Sequence, residues 1–231
     1  MRDKEILLVH GYGGVRPSAA MPRPLPVLVL ADVSGSMSQH GKIEVLNECV
    51  ATMIRSFAAE DVVRGEINVG VVTFGGEGAQ LHQPFQPATR ITWQEMRASG
   101  RTPMGDALTL ANEILHDDAV IGRRAFVPTL ILVSDGQPTD PWQEPMDRLL
   151  ASPRGAKSVR MAVSVGADDG EGIDVLSAFA HPLRPRRADE AHELSRYFAA
   201  VTMSVTMRVR STRPNESNTP FSEDELDDLL G

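Results

Sequence analysis

Three short stretches of this chain carry side chains suited to a hard cation. Asp32, Ser34 and Ser36 alternate within Asp32-Val33-Ser34-Gly35-Ser36-Met37. Thr102 lies in Gly100-Arg101-Thr102-Pro103-Met104-Gly105, and Asp135 in Ser134-Asp135-Gly136-Gln137-Pro138-Thr139-Asp140. The alternation lets one loop aim three oxygens the same way, and Gly35 relaxes the backbone for a tight turn. Magnesium takes near-octahedral oxygen ligands and keeps several of its waters. Two carboxylates balance the charge of Mg²⁺ or Mn²⁺, while three neutral hydroxyls leave the ion electron-poor. Such an ion favours an anionic further ligand, for example an Asp or Glu carboxylate of another protein. No thiolate or imidazole is placed with these residues, which points away from zinc and copper. Thr139 and Asp140 are expected either to orient the site from behind or to form the turn before Pro141 and Trp142.

Other chemistries are poorly served. No nucleophile–base pair is visible, and His10, His40, His82, His116, His181 and His192 show no ligand spacing. Cys49 is the single cysteine, which excludes an internal disulfide framework and a cysteine-only zinc site. The net charge is −8, and residues 211–231 hold six acids against one base. A nucleic-acid binder working by bulk positive charge is thereby excluded. No apolar run approaches the ~20 residues of a membrane span. The run at 6–9 is too short for a signal-peptide core. A reducing cytoplasm is the expected setting.

The candidate ligands need elements to bring them together. Residues 1–25, crowded with glycine and proline, read as an N-terminal extension with one possible edge strand at 5–9. Residues 27–31 form a continuous apolar run, as in a strand covered on both faces. Helical spacing of apolar residues follows over 42–59. A strand at 67–74 turns through glycines into a hairpin return at 80–82. Further helices are expected at 103–116, 143–150, 173–180 and from 189 towards 208, with strands at 130–133 and 159–165. Arg184, Arg186 and Arg187 read as a solvated strand end. This alternation predicts a doubly wound, Rossmann-like α/β sheet, mostly parallel, with one antiparallel edge strand and helices on both faces. Residues 26–210 form that domain. Residues 211–231 are an acidic flexible tail with a possible short helix at 221–230. In such sheets ligands sit at the carboxyl ends of the strands, where all three stretches fall. Hydrophobic residues make up 42% of the chain and aromatics 5%, so the core is aliphatic.

Taken in order, DVSGSM, the TP of GRTPMG and the SDG of SDGQPTD resemble the metal-ion-dependent adhesion site of von Willebrand factor A (vWA) domains. Asp32, Ser34 and Ser36 match the first loop, Thr102 the lone threonine and Asp135 the last acid. The resemblance covers about residues 26–205. It implies that both serines and the threonine touch the metal, while the acids often act through water. Within the family the chain most resembles the bacterial tellurite-resistance TerY-like group, through the start at Met21 and the SDGQPTDPW run. Arg101 departs from the family, which often has a second glycine there. The resemblance implies a non-catalytic, Mg²⁺-dependent protein-interaction module of a tellurite-resistance or stress-response system, acting with a phosphatase or kinase. A vWA subunit that partners an ATPase, as in chelatases and chaperones, is the alternative. No Gly-rich Lys-Ser/Thr phosphate loop occurs, so any ATPase is a separate protein. A haloacid-dehalogenase-type phosphotransferase would need a second Asp where Ser34 stands. Loops at 38–41, 97–101 and 137–142 are expected to rim the site, with Trp142 as a binding hot spot.

Overall fold

A computed structural model describes residues 22–60, 65–166 and 171–215. The suggested strand at 5–9 and the helix at 221–230 lie outside the described residues. Strand β1 (Arg23–Asp32) is buried from Leu25 onwards. Its side chains alternate between two cores: Val27, Val29 and Ala31 join one, Leu28 and Leu30 the other. It pairs in parallel with β2 (Gly65–Gly75) along its whole length, but with β4 (Thr129–Ser134) only from Val27. This explains why β1 begins four residues before the expected start despite Pro24 and Pro26. A proline has no N–H for a ladder, and both fall where β1 has a neighbour on one side only.

Strand β3 (Gly78–Pro87) returns antiparallel to β2 and is the sheet's outer edge. It is much longer than the return expected at 80–82. Its residues are mostly half-buried and include Pro84 and Pro87, so no apolar alternation marks it. On the other side β5 (Val159–Val165) flanks β4, and a three-residue strand β6 (Arg186–Ala188) closes the sheet. The sequence reading places only a solvated strand end at Arg186 and Arg187, because these residues give β6 no hydrophobic signal. The spatial order is β3-β2-β1-β4-β5-β6, parallel throughout except at β3.

Helices α1 (Lys42–Ala58) and α5 (Ala191–Arg210) pack on one face, where Leu46, Val50, Val201 and Val205 are fully buried. Helices α2 (Met104–His116), α3 (Gln143–Ala151) and α4 (Glu171–Ala180) contribute Leu108, Leu149 and Phe179 to the core on the other. Among the described residues no helix is long and apolar enough to cross a membrane. Cys49 is buried in α1, and burial pushes its thiol pKa up.

At the amino end of β4 the fold buries a cation. Arg208, near the end of α5, is 2% exposed. Its Nη1 donates to Thr129 Oγ1 (2.6 Å), its Nη2 to the Val127 carbonyl (2.8 Å) and its Nε to the Pro214 carbonyl (3.4 Å). The Val127 N–H in turn donates to Asn215 Oδ1 at 3.0 Å. Burial lowers the guanidinium pKa to about 10. These bonds tie the end of α5 and residues 214–215 to the segment entering β4.

Candidate metal centre

From β1 the chain proceeds to β2 on one side, and later crosses to β4 on the other. The connections diverge there, leaving a crevice beyond the carboxyl ends of β1 and β4. Asp32 is the last residue of β1, and Asp135 directly follows β4. Ala31 and Val133 are register partners, so the two acids leave adjacent strands side by side.

Hydrogen bonds join four of the five expected residues. The Ser34 N–H donates to Asp32 Oδ1 at 2.7 Å. Ser34 Oγ lies 3.0 Å from Ser36 Oγ, and Ser36 Oγ donates to Asp135 Oδ1 at 2.7 Å. Asp32 is 0% exposed, Ser34 1% and Thr102 6%. Burial pushes the Asp32 carboxyl up to about 6, against the opposing hydrogen bonds from Ser134 and Ser34. A divalent ion suits this arrangement, since Asp32 is buried with only a hydroxyl and an N–H for partners and a second carboxylate lies beside it. Among the described residues no cluster of three or more His, Cys, Asp or Glu is placed to hold a metal. An ion in this crevice would depend on the hydroxyls.

Thr102 reaches the same crevice on a third loop, held from two sides. On one side the Gly35 N–H donates to the Gly100 carbonyl (2.9 Å) and the Ser99 N–H to the Val33 carbonyl (2.7 Å). Gly100 is the glycine the turn requires: its φ is +72°, and a Cβ there would stand 2.4 Å from Gly76 Cα. Gly35 does not use a left-handed backbone. An added Cβ there would instead stand 3.3 Å from the Gly100 oxygen. On the other side the Thr102 N–H donates to Thr139 Oγ1 (3.1 Å), and the Thr139 N–H donates to the Thr102 carbonyl (2.9 Å). Asp140 accepts from the Gly105 N–H (3.0 Å) and the Asp106 N–H (2.9 Å). It therefore caps α2, whose own N-cap residue Pro103 makes no side-chain cap bond. Thr139 and Asp140 thus lie in the bend before Pro141 and from there hold the Thr102 loop and the start of α2.

Two residues escaped the sequence reading. Ser134 donates its hydroxyl to Asp32 Oδ2 at 2.5 Å, bridging the ends of β4 and β1. Lys42 places its Nζ 2.7 Å from Asp135 Oδ2. A signal for Lys42 did exist. It is the first residue of α1, where the helix dipole disfavours a cation, so another contact had to hold it there. The rim is exposed at Ser38, Arg97, Arg101 and Gln137. Trp142 is half-buried against the core of the α2 face.

Residues 27–137 match the family model of the von Willebrand factor type A domain. Solved structures with this fold include a von Willebrand factor type A protein from Catenulispora acidiphila (20% identity, TM-score 0.60). The match covers 80% of this chain and 43% of that one. The pilus adhesin SpaC of Lactobacillus rhamnosus GG is 15% identical (TM-score 0.65), with 80% and 30% of the chains covered. Proximal thread matrix protein 1 from the mussel byssus, solved with zinc in its MIDAS motif, is 16% identical (TM-score 0.58), with 78% and 48% covered. The present chain thus spans less than half the length of each. At these identities the likeness is one of fold. A comparison with curated proteins finds no match.

Proposed function

Taking the von Willebrand factor type A fold as the premise, we propose that this chain is a metal-dependent protein-interaction module without catalytic activity. Asp32, Ser34, Ser36, Thr102 and Asp135 hold Mg²⁺ or Mn²⁺, and the ion supplies a Lewis-acidic coordination position for an acidic residue of a partner protein. The observation that carries this reading is the linked set of Asp32, Ser34, Ser36 and Asp135 at the switch point of the sheet, the two acids and Ser34 buried and Ser36 half-buried beneath an exposed rim. The chain's own part is positional. Ser134 and the Ser34 N–H fix Asp32, Ser36 fixes Asp135, and Thr139 with Asp140 hold the Thr102 loop. The resemblance to the TerY-like group sets the module in a bacterial tellurite-resistance or stress-response system. There it works in the reducing cytoplasm with a phosphatase or kinase. The zinc-occupied MIDAS of the mussel protein makes zinc the competitor to include in the test.

The test measures binding of a kinase or phosphatase partner to the wild type, to Thr102→Ala and to a chain ending at Asn215, which keeps the bonds of Pro214 and Asn215, each in Mg²⁺, in Zn²⁺ and in EDTA. EDTA and Thr102→Ala weaken binding, and the truncation matters less. Binding abolished by the truncation alone, and indifferent to EDTA, would assign recognition to the acidic tail.

A further inference from the structure

Lys42 belongs to no position of the metal motif, yet its ammonium stands among the motif's residues. Its side chain is 20% exposed, and the Asp135 carboxylate it meets is 0% exposed. An ion pair so shielded is far less screened than one at the surface. We propose that Lys42 sets the affinity and charge of the centre, by holding Asp135 as a resident cation and leaving a divalent ion only one unpaired carboxylate. The proposal rests on the metal reading of the same crevice and adds a residue to it.

The surrounding geometry shows a place built for this ammonium. Asp135 is engaged at both oxygens, Oδ1 by the Ser36 hydroxyl and Oδ2 by Lys42 Nζ. On the β5 side stands Gly166, whose N–H is held by the Ala188 carbonyl at 2.9 Å. A Cβ at Gly166 would lie 3.0 Å from Lys42 Nζ, and its φ of +99° is one that L side chains rarely adopt. At the other end, His40 (φ +54°) and Gly41 (φ +72°) are both left-handed. They end the short 3₁₀ segment after Ser34 and start α1 at Lys42 itself. A bare glycine on one side and two left-handed residues on the other frame the lysine at the mouth of the site.

Charge gives the consequence. Asp32 and Asp135 alone would neutralise a divalent ion. With Lys42 present the loaded centre keeps one net positive charge, which an incoming carboxylate cancels. Metal and acidic partner therefore strengthen one another's binding by the same factor. The lysine also balances Asp135 when no ion is bound, so folding does not depend on metal.

The experiment titrates Mn²⁺ alone, by calorimetry, into the full chain as wild type, Lys42→Met, Lys42→Gln, Lys42→Arg, Asp135→Asn and Lys42→Met/Asp135→Asn. Both neutral variants bind Mn²⁺ on the order of tenfold tighter than wild type, because Asp135 Oδ2, released from the ammonium, is free to meet the ion. Lys42→Arg, which keeps the charge, stays nearer wild type. In the Asp135→Asn background Lys42→Met gives most of that gain no longer. Melting supplies a second readout: Lys42→Met melts lower than wild type in EDTA, and Mn²⁺ raises its melting temperature by more. Equal or weaker Mn²⁺ binding by both neutral variants overturns the proposal and leaves the metal reading standing. So does an undiminished gain in the Asp135→Asn background. Absence of Mn²⁺ binding in wild type and variants alike overturns both.

Discussion

At the carboxyl ends of β1 and β4 the fold buries Asp32 and Asp135; at the amino end of β4 it buries Arg208. The depth is similar and the treatment is opposite. Arg208 places three of its five N–H groups on Thr129, Val127 and Pro214, all neutral acceptors. Fixed dipoles hold the charge, and three chain segments are fastened in return. Asp32 and Asp135 receive hydroxyls, one N–H and one lysine, and Asp32 stays uncomfortable enough for its pKa to rise to about 6. Burial disfavours both charges, lowering the Arg208 pKa to about 10 and raising that of Asp32 to about 6. They differ in their neighbours: Arg208 faces neutral acceptors of the chain, whereas Asp32 lies beside a second acid, where a cation would relieve both.

Substitutions sharpen this contrast. Arg208→Met strands several buried acceptors and should lower stability by ~2–4 kcal/mol in urea unfolding, while Mn²⁺ affinity stays as in wild type. A loss of metal affinity with it would join the two ends into one unit and dissolve the comparison. Asp32→Asn should do the reverse. Mn²⁺ affinity falls on the order of a hundredfold, ~2.7 kcal/mol, yet the metal-free protein does not melt lower at neutral pH. The sign follows from linkage. The folded pKa of about 6 lies above the ordinary 3.8, so the ionised carboxylate costs stability above pH 6, and the cost fades as pH falls towards 4. Acidifying metal-free wild type from pH 7 to 5 should therefore bring ~1 kcal/mol from this group, a gain missing from Asp32→Asn. The smallest effect is expected from Asp140→Ala. It removes the cap of α2, costs about 1 kcal/mol, and weakens Mn²⁺ several-fold through the Thr102 loop. Unchanged metal affinity there would show that Thr102 keeps its place without Asp140.

The sequence reading succeeded where burial writes a pattern. β1, β4, β5 and the cores of α1 and α2 are apolar at the right spacing, and the proposed ligands Asp32, Ser34, Ser36 and Asp135 lie at or just past the ends of β1 and β4. It failed at the margins for one physical reason. β3 and β6 each have a neighbour on one side only and carry polar or charged residues, so neither shows alternation. Within the site, residue types named the oxygen donors but not their second partners. That Asp140 caps a helix beginning 36 residues before it, or that Lys42 reaches across to Asp135, depends on contacts only the fold creates.

The place of β4 between β1 and β5 also sets an order in time. During synthesis β1, β2 and β3 emerge first and can pair with one another, but the other edge of β1 stays open until residues 129–134 arrive. That edge is the most apolar stretch of the chain, Val27 to Ala31, with Asp32 at its tip. Until β4 docks, the young chain exposes a strand edge prone to pairing with its neighbours, and no closed metal site exists. Arrival of β4 covers the edge and brings Ser134 and Asp135 to Asp32 in the same event. On the proposed metal reading, competence to hold an ion is thus a late property of this chain, gained when its most hazardous edge is sealed.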